Sequence, residues 1–323
     1  MSFRRLSCHP LDRMMPKPIA EDISRVDMAK RKIILTIAPT GGMAHKSQNP
    51  YLPTQPQEIA DDVVRCFNAG ASVAAIHARR HDDGATCDAS IYRDINERIR
   101  RKCDIVINNS TGGGVHGDMV RRREDGAWEI DWNERLKGMD AAAEMCTLDA
   151  TTLNLMFDGR EILMNTPLTR ARELAVGMKT RGIKPEWEVF STPHILQDTS
   201  ALIAEGHDEE PHFINLVMNA HKSFQNAMPY SPRYLQTMVD ALPEGAIFCV
   251  SGIGPAQLEA NVCALLMGGH ARVGLEDNLY LRQGELATNI QLTERIVRII
   301  RELDMEPATP EEARRMMGLR PRA

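Results

Sequence analysis

The chain has no C-x-x-C pair, no long basic block, no apolar window long enough to span a bilayer, and no G-x-G-x-x-G after its first apolar run. Each absence excludes something. The seven cysteines (Cys8, Cys66, Cys87, Cys103, Cys146, Cys249 and Cys263) are scattered and odd in number, which argues against structural zinc and against a disulfide framework. Several lie in apolar segments, where cysteine behaves as a small hydrophobe. With no basic block and a formal net charge of only −5, electrostatic binding of nucleic acid or of an anionic membrane is not indicated. Small acidic substrates stay open, because a few local Arg and Lys residues suffice for them. The N-terminus carries Arg and Met but no continuous apolar signal region. The expectation is a reduced, soluble, cytoplasmic protein without nucleic-acid or membrane partners.

What is present is length and rhythm. The 323 residues, 43% of them hydrophobic, suffice for two ordinary domains or one large barrel. Residues 1–31 alternate basic and acidic with prolines and read as an N-terminal extension. From residue 32 to 323 a single domain is expected. "KIILTIAP" (Lys32 to Pro39) is a β-branched run with the pattern of a buried strand, and Thr54 to Gly70 reads as a helix stopped by its glycine. "SVAAIHA", "DIVINNS", "EMCTLDATTLN", "EWEVFS", "HFINLVM", "AIFCVSG" and "ARVGLEDN" supply seven further strands, each followed by a helix or a helix-sized connection. Eight βα units in this length predict a (β/α)8 TIM barrel rather than a doubly wound sheet. The first turn, "APTGGMAH", is not the dinucleotide fingerprint that a Rossmann fold would need.

In such a barrel the chemistry sits at the C-terminal strand ends. "STGGG" (Ser110 to Gly114) offers hydroxyls and glycine amides that let a carboxylate or phosphate approach the backbone. "LEDN" (Leu275 to Asn278) places two adjacent carboxylates directly after an apolar strand, where they are costly unless paired or metal-bound. Strand alternation predicts that Glu276 and Asp277 point to opposite sides, and Arg272 could steer either one. His77, alone in "VAAIHARRHDDG", reads locally as a hydrogen-bonded core histidine. Paired with Glu276 from another strand end, it becomes a candidate Zn²⁺ ligand.

The ordered series "TIAPTGG", "NPYLPTQPQEIA", "AGASVAAIHARRHDDG", "INNSTGGG", "TLDATTLN", "SGIGPAQL" and "GGHARVGLEDN" resembles the β-keto acid cleavage enzymes, from about Lys32 to the end of the chain. The resemblance implies a (β/α)8 barrel, usually a homo-oligomer, with Zn²⁺ as cofactor. It implies a Claisen-type exchange in which a β-keto acid and acetyl-CoA give acetoacetate and a new acyl-CoA. Glu276 and His77 would then be metal ligands, Asp277 the general base and Arg272 its polarising partner. Ser110, Thr111 and Gly113, with Thr147 or Asp149 across the barrel, would bind the keto acid's carboxylate end.

The chain departs from the family pattern in four places. The second strand usually carries His-x-His, and here the first of the pair is Ala75. Acidic residues expected near Met43 and Ser191 are missing, so an amine-bearing substrate loses its recognition groups. The usually glycine-rich loop after the sixth strand is "NAHKSFQNAMPY". Three outcomes follow for the metal site: loss, weakening, or completion by His45, His81 or His221. Two other functions share the same barrel, a binding protein that has lost its zinc and a lyase or hydrolase that uses no CoA.

Overall fold

The computed structural model describes residues 30–320. Residues 1–29 of the expected N-terminal extension lie outside them. Eight parallel strands close into a barrel in chain order, β1 (Leu35–Ile37), β2 (Val73–Ile76), β3 (Val106–Asn109), β4 (Met145–Asp149), β5 (Lys184–Val189), β6 (His212–Met218), β7 (Ala246–Gly252) and β8 (His270–Val273). The ring shuts where β8 pairs with β1, with Arg272 opposite Thr36. The TIM barrel expected from the sequence is therefore the observed fold.

The helices of the outer layer carry their own boundaries. The helix α1 (Pro56–Ala69) starts on proline, and its Glu58 side chain returns to the Gln55 backbone in a capping box; Gly70, at φ 122°, stops it. α2 (Ala89–Arg100) is capped by Asp88, whose carboxylate accepts from the Ser90 and Ile91 amides. Four connections follow: α3 (Trp132–Lys137), α4 (Leu168–Arg181), α5 (Ser200–Ala204) and α6 (Pro232–Asp240). α7 (Gln257–Leu266) and α8 (Asn289–Glu302) complete the ring, and Thr288 and Gln291 box the start of α8.

The strand period of two sorts side chains between the barrel interior and the helix layer. The inward positions form levels. Ile34, Val73, Val106, Met145, Phe213 and Cys249 make an apolar floor, and the last helix, α9 (Pro310–Met316), plugs it with Ala313, beside Met317 just past its end. Arg314 of α9 fastens that plug, donating to Asp104 at 2.8 Å and to Glu144 at 2.6 Å. Above the floor the interior turns polar. Thr36, Asn108, Glu186, Asn215 and Arg272 are all buried inside the ring. With the lower end plugged, chemistry is directed to the upper end.

Two features lie outside the eightfold pattern. A small sheet stands over the mouth, in the order Leu153–Phe157, Arg160–Met164, Trp128–Ile130, Val120–Arg122. The sequence reading also carried the eighth strand on to Asn278. It ends at Val273, because Gly274 turns at φ 147°. A Cβ at Gly274 would fall on the Ala38 carbonyl oxygen, so the tight seam between β8 and β1 requires glycine there.

Candidate active site

β8 positions the central cation. Arg272 is buried, and its guanidinium reaches three carboxylates: Asp277 at 3.1 and 3.2 Å, Glu276 at 2.5 Å and Glu188 at 3.2 Å. The strand alternation expected for Glu276 and Asp277 does not apply. Both lie past the end of β8 in the Gly274 turn, and both fold back onto Arg272. They are electrostatically distinct all the same. Burial pushes the Asp277 carboxyl up to about 6 in spite of Arg272 beside it. Burial acts on Glu276 too, but Arg272 and His77 overcome it and hold that carboxyl at about 2. The Asp277 carboxyl is thus raised toward neutral pH, while that of Glu276 is held ionised.

β2 delivers His77. Its Nδ1 lies 3.0 Å from the Gly113 carbonyl and its Nε2 lies 3.4 Å from Glu276 Oε1. With Nδ1 turned to the Gly113 carbonyl, Nε2 is the ring nitrogen that faces Glu276. The second Glu276 oxygen, Oε2, is buried with no hydrogen-bond partner. An imidazole held by its far nitrogen beside an unpartnered carboxylate oxygen is a donor set suited to a divalent cation. The set stops at two. Among the described residues no third His, Cys, Asp or Glu joins them. The His45 ring packs against that of His116, 4.8 Å away and tilted by 35°, and His81 and His221 are exposed. None of these three completes the site.

β3 and β4 build the opposite wall. Ser110 Oγ accepts the amides of Gly112 and Gly113 at 3.1 Å each, which folds the glycine run into a cradle. Ser110, Gly112, Gly114 and Asp149 line the cavity. Thr111 and Thr147 do not. The Thr111 amide donates to Thr147 Oγ1 at 3.1 Å and the Thr111 hydroxyl to the Thr147 carbonyl at 2.7 Å, so they hold the wall together from behind. Gly113 turns its carbonyl to His77 and serves as that residue's support.

One carboxylate of the site escaped the sequence reading of roles. Glu188 lines the cavity beside Asp149, accepts from Asn215 at 3.1 Å and meets Arg272. Burial, then the adjacent Asp149 charge, push the Glu188 carboxyl well above the usual range. Burial likewise raises Asp149, and the buried Arg135, 3.5 Å away, offsets part of that. Burial and the neighbouring Asp149 charge thus favour the protonated form of the Glu188 carboxyl. The signal was the spacing: Glu186 and Glu188 share one strand face, and the buried Trp187 lies between them on the other.

A model of the beta-keto acid cleavage enzyme family matches residues 32–319. The chain belongs to this family. Among the chain's relatives, the 3-keto-5-aminohexanoate cleavage enzyme of Fusobacterium nucleatum is 36% identical over 90% of this chain and 98% of its own length. The 3-dehydrocarnitine:acetyl-CoA trimethylamine transferase of Rhizobium meliloti is 34% identical, covering 90% and 97%. A solved structure, the apo form of ObcA, superposes with a TM-score of 0.66 at 17% identity over 84% of this chain and 66% of ObcA, a likeness of fold. Among the described residues of this cleavage enzyme no helix is long and apolar enough to cross a membrane.

Proposed function

We propose that this member of the family exchanges acyl groups between a β-keto acid and acetyl-CoA, releasing acetoacetate and a new acyl-CoA. The observation that carries the reading is the convergence in one cavity of a raised carboxyl, Asp277, with a glycine-lined hydroxyl cradle at Ser110. The names of the relatives, cleavage enzymes and acetyl-CoA transferases, support it.

The Ser110 hydroxyl, whose oxygen already accepts the Gly112 and Gly113 amides, donates to the carboxylate of the keto acid. Asp277 takes a proton from C2, between the two carbonyls. The resulting carbanion attacks the thioester carbonyl of acetyl-CoA, a carbon–carbon bond forms, and CoA thiolate leaves. The thiolate then attacks the original C3 carbonyl. The C2–C3 bond breaks, the acyl group departs on CoA, and the acetoacetate carbanion recovers its proton from Asp277. Arg272 keeps Asp277 oriented and balances the charge that comes and goes on it. Lys222, exposed at the cavity rim, is placed to meet the CoA phosphates. His77 and Glu276 are the two donors this chain offers to Zn²⁺, which when bound would act as a Lewis acid on the keto acid's oxygens. The free state of all six described cysteines, four of them buried, supports a cytoplasmic setting.

The test is to mix the purified protein with acetyl-CoA and a panel of β-keto acids and to measure new acyl-CoA and acetoacetate by mass spectrometry. Their joint appearance is expected. Acyl-CoA without acetoacetate, or neither, sinks the exchange. The two-donor metal site favours one second reading, a binding barrel without turnover. Keto-acid binding in a calorimeter with no product in the assay would identify that case.

A further inference from the structure

Resting on the exchange reading, we infer that the keto acid of this enzyme carries an uncharged apolar tail, aliphatic or aromatic, at C3. The cavity measures about 380 Å³, room for a tail beyond the reacting carbons. Its charges are confined to one side. The titratable groups that line it sit at the upper strand ends already described, except for Lys222, which is exposed at the rim. The roof is of the opposite character.

The roof is the small sheet over the mouth. Ile130, Leu155 and Met164 lie on the face turned to the cavity and are buried, while Met156, next to Leu155, is 45% exposed on the other face. Leu155 bridges through its backbone to Phe224, from the loop after β6. Phe224 in turn stacks on Phe190, after β5, with ring centres 5.4 Å apart and planes 15° apart. Val115, from the loop after β3, closes the row. These six side chains come from six separate segments and give the cavity an apolar side. None of them can hydrogen-bond an ammonium or a carboxylate. A charged tail packed there would be stripped of water with nothing in return.

The reaction on such a substrate balances as before: the apolar acyl group leaves C2 of the keto acid for the sulfur of CoA, and the acetyl group leaves that sulfur for C2. The experiment uses the full chain, acetyl-CoA and four keto acids: 3-oxohexanoate and 3-oxo-3-phenylpropanoate as apolar tails, 5-amino-3-oxohexanoate and 3-oxoadipate as charged ones. The apolar pair is expected to exceed the charged pair in kcat/KM by at least about a hundredfold. Equal or better turnover of either charged substrate overturns the apolar tail and leaves the exchange standing. No acyl-CoA from any of the four overturns the exchange itself and this inference with it. Phe224→Ala separates the tail from the CoA arm. It is expected to raise KM for 3-oxohexanoate roughly tenfold, with KM for acetyl-CoA unchanged. A rise in KM for acetyl-CoA alone assigns the roof to the CoA arm and overturns the inference.

Discussion

The guanidinium of Arg272 holds both oxygens of Asp277, Nε to Oδ2 at 3.1 Å and Nη2 to Oδ1 at 3.2 Å. This fork fixes the carboxylate in place yet leaves it raised, because both partners are buried and Glu276 adds a second negative charge nearby. Asp277→Asn keeps the shape and loses the basic oxygen. Turnover in the acetyl-CoA assay is expected to fall by roughly 10²–10⁴, with the circular dichroism spectrum and melting temperature near those of the wild type. Turnover within a factor of about two of wild type would remove Asp277 from the proton transfer.

Gly274 is the hinge that brings Glu276 and Asp277 back over the strand that carries Arg272. Its φ of 147° and the Ala38 carbonyl against its Cα admit no side chain. Gly274→Ala is expected to destabilise the fold by about 3 kcal/mol and to open the seam between β8 and β1. Urea unfolding measures the first effect. Hydrogen exchange measures the second, at the Ala38 amide, which donates to the Val273 carbonyl at 2.9 Å. An unchanged urea midpoint would show that the turn relaxes without cost.

Much of this was legible in the sequence. Apolar runs separated by helical segments gave the barrel, because the strands are largely buried on both faces and helices such as α1, α2 and α8 signal their own starts. His77, Ser110, Asp149, Arg272, Glu276 and Asp277 all line the one cavity. Three things were hidden. The eighth strand was read too long because Gly274 looks like any glycine until the Ala38 carbonyl is seen against it. Glu188 carries no signal of its own in the sequence, since its meaning depends on which face of β5 points inward. The roof sheet was invisible because segments such as Val120–Arg122 are polar and half-exposed, and only folding brings Ile130, Leu155 and Met164 onto one face.

The metal site makes a sharper demand. Catalytic zinc is ordinarily held by three protein side chains, and this site offers His77 and Glu276. Zinc binding is therefore expected to be weak and reversible, with metal lost on dialysis against a chelator and regained on adding Zn²⁺. Titration calorimetry on the chelated protein measures it. His77→Ala and Glu276→Gln are each expected to abolish the heat of binding. Zinc that survives the chelator, or that still binds the His77→Ala variant, would place the metal elsewhere.

Away from the site, Asp208 ties the lower part of the barrel wall together. Its side chain is buried and meets Lys184 at 2.8 Å, His212 at 2.9 Å and the Trp187 indole nitrogen at 3.0 Å. Burial alone would raise its pKa, but the bonds to His212, Lys184 and Trp187 prevail and hold it below the ordinary carboxylate value. A carboxyl depressed in the folded state binds its proton more readily when unfolded. Its contribution to stability is thus full above the unfolded value, about 3.9, and is lost as pH falls through the lower folded value. Asp208→Asn is expected to cost about 3 kcal/mol at about pH 6, because Lys184 loses its counter-charge. The gap between variant and wild type should then shrink as pH falls below the unfolded value and the wild-type carboxyl takes up its proton. Urea midpoints at several pH values read both quantities, and a gap that stays constant or widens on acidification would show that Asp208 is not held ionised in the fold.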